Sequence, residues 1–299
     1  MTAIEEVIAE IQGVYAKWGK DTSLAQMNLD WDALFRHRAQ PMTLETFDAG
    51  GVPAAWIDMP EARADRVLMF LHGGGFRLGS IVSHLDLMQR LSVQAKARVL
   101  AVSYRKLPEH CFPAPVEDAV AAYTWLLAQG VATEGIALAG DSAGGGLAMS
   151  AMLAARQAGL ALPCAAVVMS PWTDMEASGT SFLTRAAADP MHSRQMILAL
   201  AKSYLGPHGD ARNPLASPMH GDLRGLPPLL IQCGGRETVL DDSSVLAERA
   251  RAAGVDVDLE IYEPMIHVFQ MFAAELAEAR TALASAGQFL DRHFAAAEI

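Results

Sequence analysis

The sequence is poor in the features that mark several classes of protein. It holds only three cysteines in 299 residues, Cys111, Cys164 and Cys233. A set that is odd and sparse does not build a disulfide framework, so these are read as reduced core residues, in keeping with a cytoplasmic location. Basic residues are outnumbered, 23 against 34 acidic, for a net charge of −11. No Lys/Arg cluster relieves that excess, so neither nucleic acid nor an anionic membrane is expected as a partner. No apolar run approaches the roughly 20 residues that span a bilayer; the strongest, Val67–Leu71, is strand-sized. Glu5 and Glu6 stand where a secretory leader carries basic residues, which argues against a signal peptide. No H-E-x-x-H or paired-cysteine set offers metal ligands, and neither a metal nor a cofactor is expected.

What the chain does have is apolar content, 52% of residues, enough for a sizeable core. Ile4, Ile8, Ile11 and Tyr15 form one helical stripe, and residues 2–38 read as two helical pieces. Short extended pieces follow near Thr43–Phe47 and Ala54–Asp58. From Arg66 onward strands alternate with helices. Strands are expected at Val67–Leu71, Arg98–Ser103, Gly135–Ala139, Ala165–Ser170, Leu229–Cys233 and Val255–Tyr262. Helices are expected at Leu85–Val93, 115–129, Ser142–Gln157 and Leu246–Ala253, with one long closing helix from Phe272 to Phe294. This rhythm implies right-handed parallel crossovers and a doubly wound α/β sheet. Between Trp172 and Gly225 no strand is expected, only a helical stretch at Ser193–Tyr204. An interruption that long is usually a lid or binding element.

Four segments carry chemistry. Gly140-Asp141-Ser142-Ala143-Gly144 fits G-x-S-x-G between an expected strand and an expected helix. A nucleophile on so sharp a bend needs small neighbours, and Gly140 and Gly144 supply them. His72-Gly73-Gly74-Gly75-Phe76 follows a strand directly; its glycines let backbone N–H groups converge on one point, as an oxyanion requires. A phosphate-loop reading lacks the Lys-Ser/Thr ending. His267 follows the last expected strand, where a base for a serine hydroxyl belongs; the competing His293 lies in the closing helix. After Leu229–Cys233 come Glu237, Asp241 and Asp242, any of which offers a carboxylate to orient the imidazole. Asp241 and Asp242 also read as helix caps.

Taken together, these segments resemble the hormone-sensitive-lipase-like esterases, bacterial family IV of the α/β-hydrolase superfamily. The resemblance runs through His72-Gly-Gly-Gly75-Phe, Tyr104-Arg-Lys-Leu-Pro108, Gly140-Asp-Ser142-Ala-Gly-Gly145, Ser170-Pro-Trp172-Thr-Asp174, Gly225-Leu-Pro-Pro-Leu229 and Tyr262-Glu-Pro-Met-Ile-His267. It implies a mostly parallel central sheet of about eight strands with a helical cap. Residues 1–40 would be the N-terminal part of that cap, and residues 41–299 the catalytic domain, with a cap insertion at about 175–212. It further implies Ser142 as nucleophile, His267 as base and Glu237 as acid, with Asp241 in reserve. Glu-Thr-Val stands here where the family has Asp-Pro-Leu. Oxyanion donors would be the N–H groups of Gly74, Gly75 and Ala143, and the Tyr104 segment would brace the sheet. Dimerisation through the strand Val255–Tyr262 is a further implication.

The expected reaction is hydrolysis of small, short-acyl carboxylic esters through an acyl-enzyme. Phe76 and Leu78 would border the acyl pocket, with Met27, Met191 and Met196 as adaptable apolar lining. Two other readings stand beside it. One is an inactive small-ligand-binding module, which would lack base or nucleophile. The other is an acyltransferase, amidase or lactonase on the same triad, which sequence alone does not separate from an esterase.

Overall fold

The computed structural model describes residues 2–295; the outermost residues of the expected segments, 1 and 296–299, lie outside that range. Helices α1 (Ala3–Tyr15) and α2 (Leu24–Arg36) precede a short antiparallel pair, β1 (Thr46–Asp48) and β2 (Pro53–Ile57). Strands then alternate with helices: β3 (Arg63–Leu71), α3 (Leu85–Ala95), β4 (Ala97–Val102), α4 (Ala114–Ala128), β5 (Ile136–Asp141), α5 (Ala143–Gln157) and β6 (Ala165–Met169). The insertion carries α6 (Ser181–Thr184) and α7 (Arg194–Leu205), after which come β7 (Leu229–Gly234), α8 (Leu240–Ala252), β8 (Val257–Tyr262) and α9 (Ala277–Ala295). No helix among the described residues is long and apolar enough to cross a membrane.

The eight strands form one sheet in the order β1-β2-β4-β3-β5-β6-β7-β8, parallel from β4 to β8, with β2 antiparallel to both neighbours. Alternation along β3 shows why its run is almost wholly apolar. Val67, Met69 and Leu71 enter the core shared with α4, α5 and α8, while Leu68 and Phe70 enter the core shared with α3 and α9. A strand buried on both faces has no solvent side to be polar on. The chain reverses direction across the sheet at β3, so the carboxyl ends of β3 and β5 flank a crevice, the usual place for a site in such sheets.

Three expectations shift. The closing helix is broken: residues Phe269–Phe272 form a 3-10 turn and α9 starts at Ala277. The buried centre of the α1 stripe is Val7, Ile11 and Val14, with Ile4, Ile8 and Tyr15 only partly covered. Of the cysteines only Cys233 is buried; Cys164 is half-buried and Cys111 is exposed.

The amino-terminal helices lie over the carboxyl ends of the strands. Tyr15, Trp18, Trp31 and Phe35 stack in a chain that ends on Phe272, with ring centroids 4.8–6.3 Å apart. Each such pair adds about 0.5–1.5 kcal/mol beyond its buried area. Arg38 then fastens this region to the body, bridging Glu10 at 2.6 Å and Glu275 at 2.9 Å.

Candidate active site

Ser142 occupies the bend between β5 and α5 with φ 51° and ψ −122°. A non-glycine residue there is strained, and the surroundings enforce it. Its N–H donates to the Met169 carbonyl at 2.8 Å, and its own carbonyl accepts from Trp172 at 2.9 Å. The flanking glycines are required by close approach: a Cβ at Gly144 would lie 2.0 Å from the Leu71 carbonyl oxygen, and one at Gly140 2.4 Å from that of Gly144.

Three expected residues meet here. Ser142 Oγ lies 2.9 Å from His267 Nε2, and His267 Nδ1 lies 2.5 Å from Glu237 Oε2. An ionised carboxylate only accepts. It therefore fixes the proton on Nδ1 and leaves Nε2 as an acceptor facing the Ser142 hydroxyl. All three side chains are buried. Glu237 is itself held, its Oε1 accepting from the Gly234 N–H at 2.7 Å. Burial is the largest single influence on His267 and disfavours its charged form. The hydrogen bond and charge of Glu237, with Asp189 and Asp141, together outweigh it and raise the imidazole above its ordinary value.

Asp241 and Asp242 are engaged elsewhere. Asp241 Oδ2 accepts from Thr180 Oγ1 at 2.9 Å and the Ser181 N–H at 3.0 Å. Asp242 Oδ2 accepts from the N–H groups of Thr173 and Asp174 at 2.7 and 2.9 Å. Both acids, expected as helix caps, thus hold the start of the insertion against the first turn of α8. His293 is half-buried in α9, its ring against Phe289.

The triple-glycine turn faces the serine. Gly74 (φ 113°) and Gly75 (φ 63°) adopt a backbone that side chains resist, and among the described residues neither amide has a protein acceptor. Ala143 is buried at the first position of α5, where an amide lacks a helical partner. His72 and Gly73 shape the turn. His72 Nδ1–H donates to the Gly73 carbonyl at 2.8 Å, and burial holds that imidazole neutral. Gly73 N–H donates to Asp141 Oδ1 at 2.9 Å. Asp141, the variable residue of the serine motif, thereby joins the Ser142 bend to the glycine turn. Nothing in the motif pattern marks that role.

The Tyr104 segment braces this turn rather than the sheet. Tyr104 O–H donates to the His72 carbonyl at 2.6 Å and its ring stacks on His72; Lys106 reaches the Gly79 carbonyl, and Leu107 N–H donates to the Phe76 carbonyl at 2.8 Å.

Above the triad lies a cavity of about 300 Å³, bounded below by Ser142, His267, Gly74 and Gly75 and above by Trp18, Met27, Trp31, Met191, Met196 and Leu200. Leu78 lines it; Phe76 does not. Phe76 is buried, stacked on Tyr204 at 3.9 Å, and belongs to the wall's support. His192 also lines the cavity, although no motif pointed to it. Away from the cavity, Asp174, Glu176 and His220 bring three ligand-type atoms within 4.8 Å of one another. Asp174 already accepts from Glu176 N–H at 2.9 Å and from the Ser178 N–H and Oγ–H at 2.8 and 2.6 Å.

With this geometry in view, the chain was compared with known proteins. A family model described as alpha/beta hydrolase fold matches residues 68–271. An acetyl-hydrolase of Streptomyces hygroscopicus is 47% identical over 241 residues, 81% of this chain and 80% of that one. An esterase of Acinetobacter venetianus is 35% identical over 229 residues, 77% of this chain and 76% of its own length. A crystal structure of an esterase from the bacterial hormone-sensitive lipase family superposes with a TM-score of 0.93 at 44% identity, covering 98% of both chains.

Proposed function

Because the chain belongs to the α/β-hydrolase family, among the hormone-sensitive-lipase-like serine carboxylesterases, we propose that it hydrolyses small, short-acyl esters through Ser142, His267 and Glu237. One observation carries the mechanism: the unbroken hydrogen-bond chain from Ser142 Oγ through His267 to Glu237. His267 Nε2 takes the hydroxyl proton as Oγ bonds to the ester carbon. The carbonyl electron pair moves onto oxygen, which the N–H groups of Gly74, Gly75 and Ala143 receive. Each such donor is worth about 2.7–4 kcal/mol in comparable sites. Collapse breaks the C–O bond, and the departing alkoxide takes the proton from His267. Water then attacks the acyl-serine by the same route, and the acid is released with Ser142 restored.

Two observations support a small substrate. The cavity, about 300 Å³, sits at the low end of the range for small-molecule sites, roughly 300–1,000 Å³. The Streptomyces relative is named for acetyl hydrolysis. The roof over that cavity, from residues 1–40 and about 175–212, is read as the cap. The edge position of β8, with Ile261 40% exposed, supports pairing of two copies along that strand; a solution mass that stays monomeric would remove this element.

The test is a series of p-nitrophenyl esters from acetate to dodecanoate, run beside fluorophosphonate labelling. Turnover should peak at two to four acyl carbons, an expectation set by the roughly 300 Å³ lower bound for such sites, and the label should map to Ser142. A peak at long chains would overturn the size assignment. Absence of labelling in folded protein would favour the non-catalytic binder.

A further inference from the structure

Asp189, in the insertion, is buried at 9% exposure and lies against the triad loop. Its Oδ2 accepts from the N–H and Oγ1–H of Thr238 at 2.7 and 2.9 Å, and Thr238 follows Glu237 directly. Its Oδ1 accepts from the N–H groups of Met191 and His192 at 2.8 and 3.0 Å. One carboxylate thus ties the insertion to the loop that carries the triad acid. The His192 ring meets the His267 ring edge to face, centroids 4.4 Å apart at 78°. His192 Nδ1 is buried without a hydrogen-bond partner, and stands 3.9 Å from Asp189 Oδ2, beyond hydrogen-bond range.

We propose that Asp189 is a positioning residue for His267: it fixes the Glu237–Thr238 loop and, with His192 as an uncharged spacer that excludes water, directs a second negative charge at the imidazole when it holds the serine proton. This rests on the triad reading above. The physical reason is the site's low dielectric, in which a fixed charge acts far more strongly than in water. The other groups around the pair agree. Burial first, then the neighbouring His267, pushes His192 down to about 3, so it is neutral at working pH. Burial opposes the charge of Asp189, but His192, His267 and its backbone donors hold its carboxyl below the usual range. Tyr15 of α1 faces Asp189 and is kept a neutral phenol by burial and by that charge. Glu237 and Asp141 are the remaining charges acting on His267. Because Asp189 and His192 ride on the insertion, the base reaches full strength only with the insertion seated.

The experiment is the pH dependence of kcat/KM for p-nitrophenyl acetate. Asp189→Asn should lower kcat about tenfold, the ratio one pKa unit represents, with KM nearly unchanged. It should also move the acid limb to lower pH, because a less stabilised imidazolium gives up its proton more readily. A role confined to holding the loop would lower kcat without moving the limb, and that result overturns the proposal. If Asp189→Asn does not fold, Asp189→Ser decides: it removes the charge while keeping a hydroxyl acceptor, and should move the limb the same way. An unmoved limb in folded Asp189→Ser is equally fatal. His267→Ala distinguishes the two levels: retained activity there sinks the triad reading, while lost activity with an unmoved Asp189→Asn limb sinks this inference alone.

Discussion

The floor and the roof of the cavity are built by different physics. The floor, at the ends of β3, β5, β7 and β8, is held by directional contacts: Ser142 to His267, His267 to Glu237, Gly73 to Asp141, Tyr104 to His72. Its backbones approach so closely that several positions admit no Cβ. The roof, from the α1–α2 region and the insertion around α7, touches the cavity through Trp18, Trp31, Met191, Met196 and Leu200. Apolar contact is non-directional and tolerates substitution of similar volume. On the proposed reading, one half fixes the chemistry and the other half fixes what fits.

If that division is right, floor variants should lose kcat and roof variants should change selectivity and stability. The largest effect belongs to Ser142→Ala, which should lower kcat by about 10⁴–10⁶, as loss of a triad member does elsewhere, with unchanged thermal unfolding. Appreciable turnover in purified Ser142→Ala would break the division at its base. Next comes Glu237→Gln, expected to lose about 10³–10⁴ because it no longer enforces the imidazole tautomer, whereas Asp241→Asn should weaken the insertion's hold without comparable loss. The reverse ranking would reassign the acid. Gly144→Ala should cost about 3 kcal/mol or the fold itself, since the added methyl meets backbone rather than a movable side chain; an unshifted melting temperature would contradict the close approach.

On the roof, Trp31→Ala should destabilise by about 3 kcal/mol and broaden the accepted chain length, with kcat for acetate esters within about threefold of wild type, less than the ~1.4 kcal/mol that a tenfold change represents. A collapse of kcat on acetate would mean that the roof takes part in the chemistry beyond Asp189 and His192. The smallest effect is the pH profile of the native protein. His267 must be neutral to accept the serine proton, and its folded value is raised. Activity should therefore fall as pH drops through a midpoint above the ordinary ~6.5 of histidine, and a midpoint below it would contradict the net effect of the surrounding carboxylates.

The same contrast governs what can be read in advance. Ser142 and the glycine turn are legible because strain and close approach leave few residue types able to stand there, and His267 because it follows the last strand. Glu237 was harder to single out, since Asp241 and Asp242 carry the same chemistry within a few residues. Only the fold turns Glu237 toward His267 and the other two toward the insertion. Phe76 was misplaced because an aromatic beside a glycine turn suits a pocket wall and a core equally, and it packs on Tyr204 instead. Asp141, Asp189 and His192 carry no motif signal. Their partners lie 68, 49 and 75 residues away (Gly73, Thr238 and His267).

By itself the sequence determined the alternation of strands and helices, the two-sided burial of the sheet, and the bend that presents Ser142. These depend on local periodicity and on steric limits within a few residues. Tertiary structure alone decided which acid meets His267, which aromatics face the cavity, and how the insertion's His192 comes to pack against that imidazole. Those outcomes depend on contacts between distant segments, and a carboxylate or an aromatic ring has the same local character whichever partner the fold brings to it.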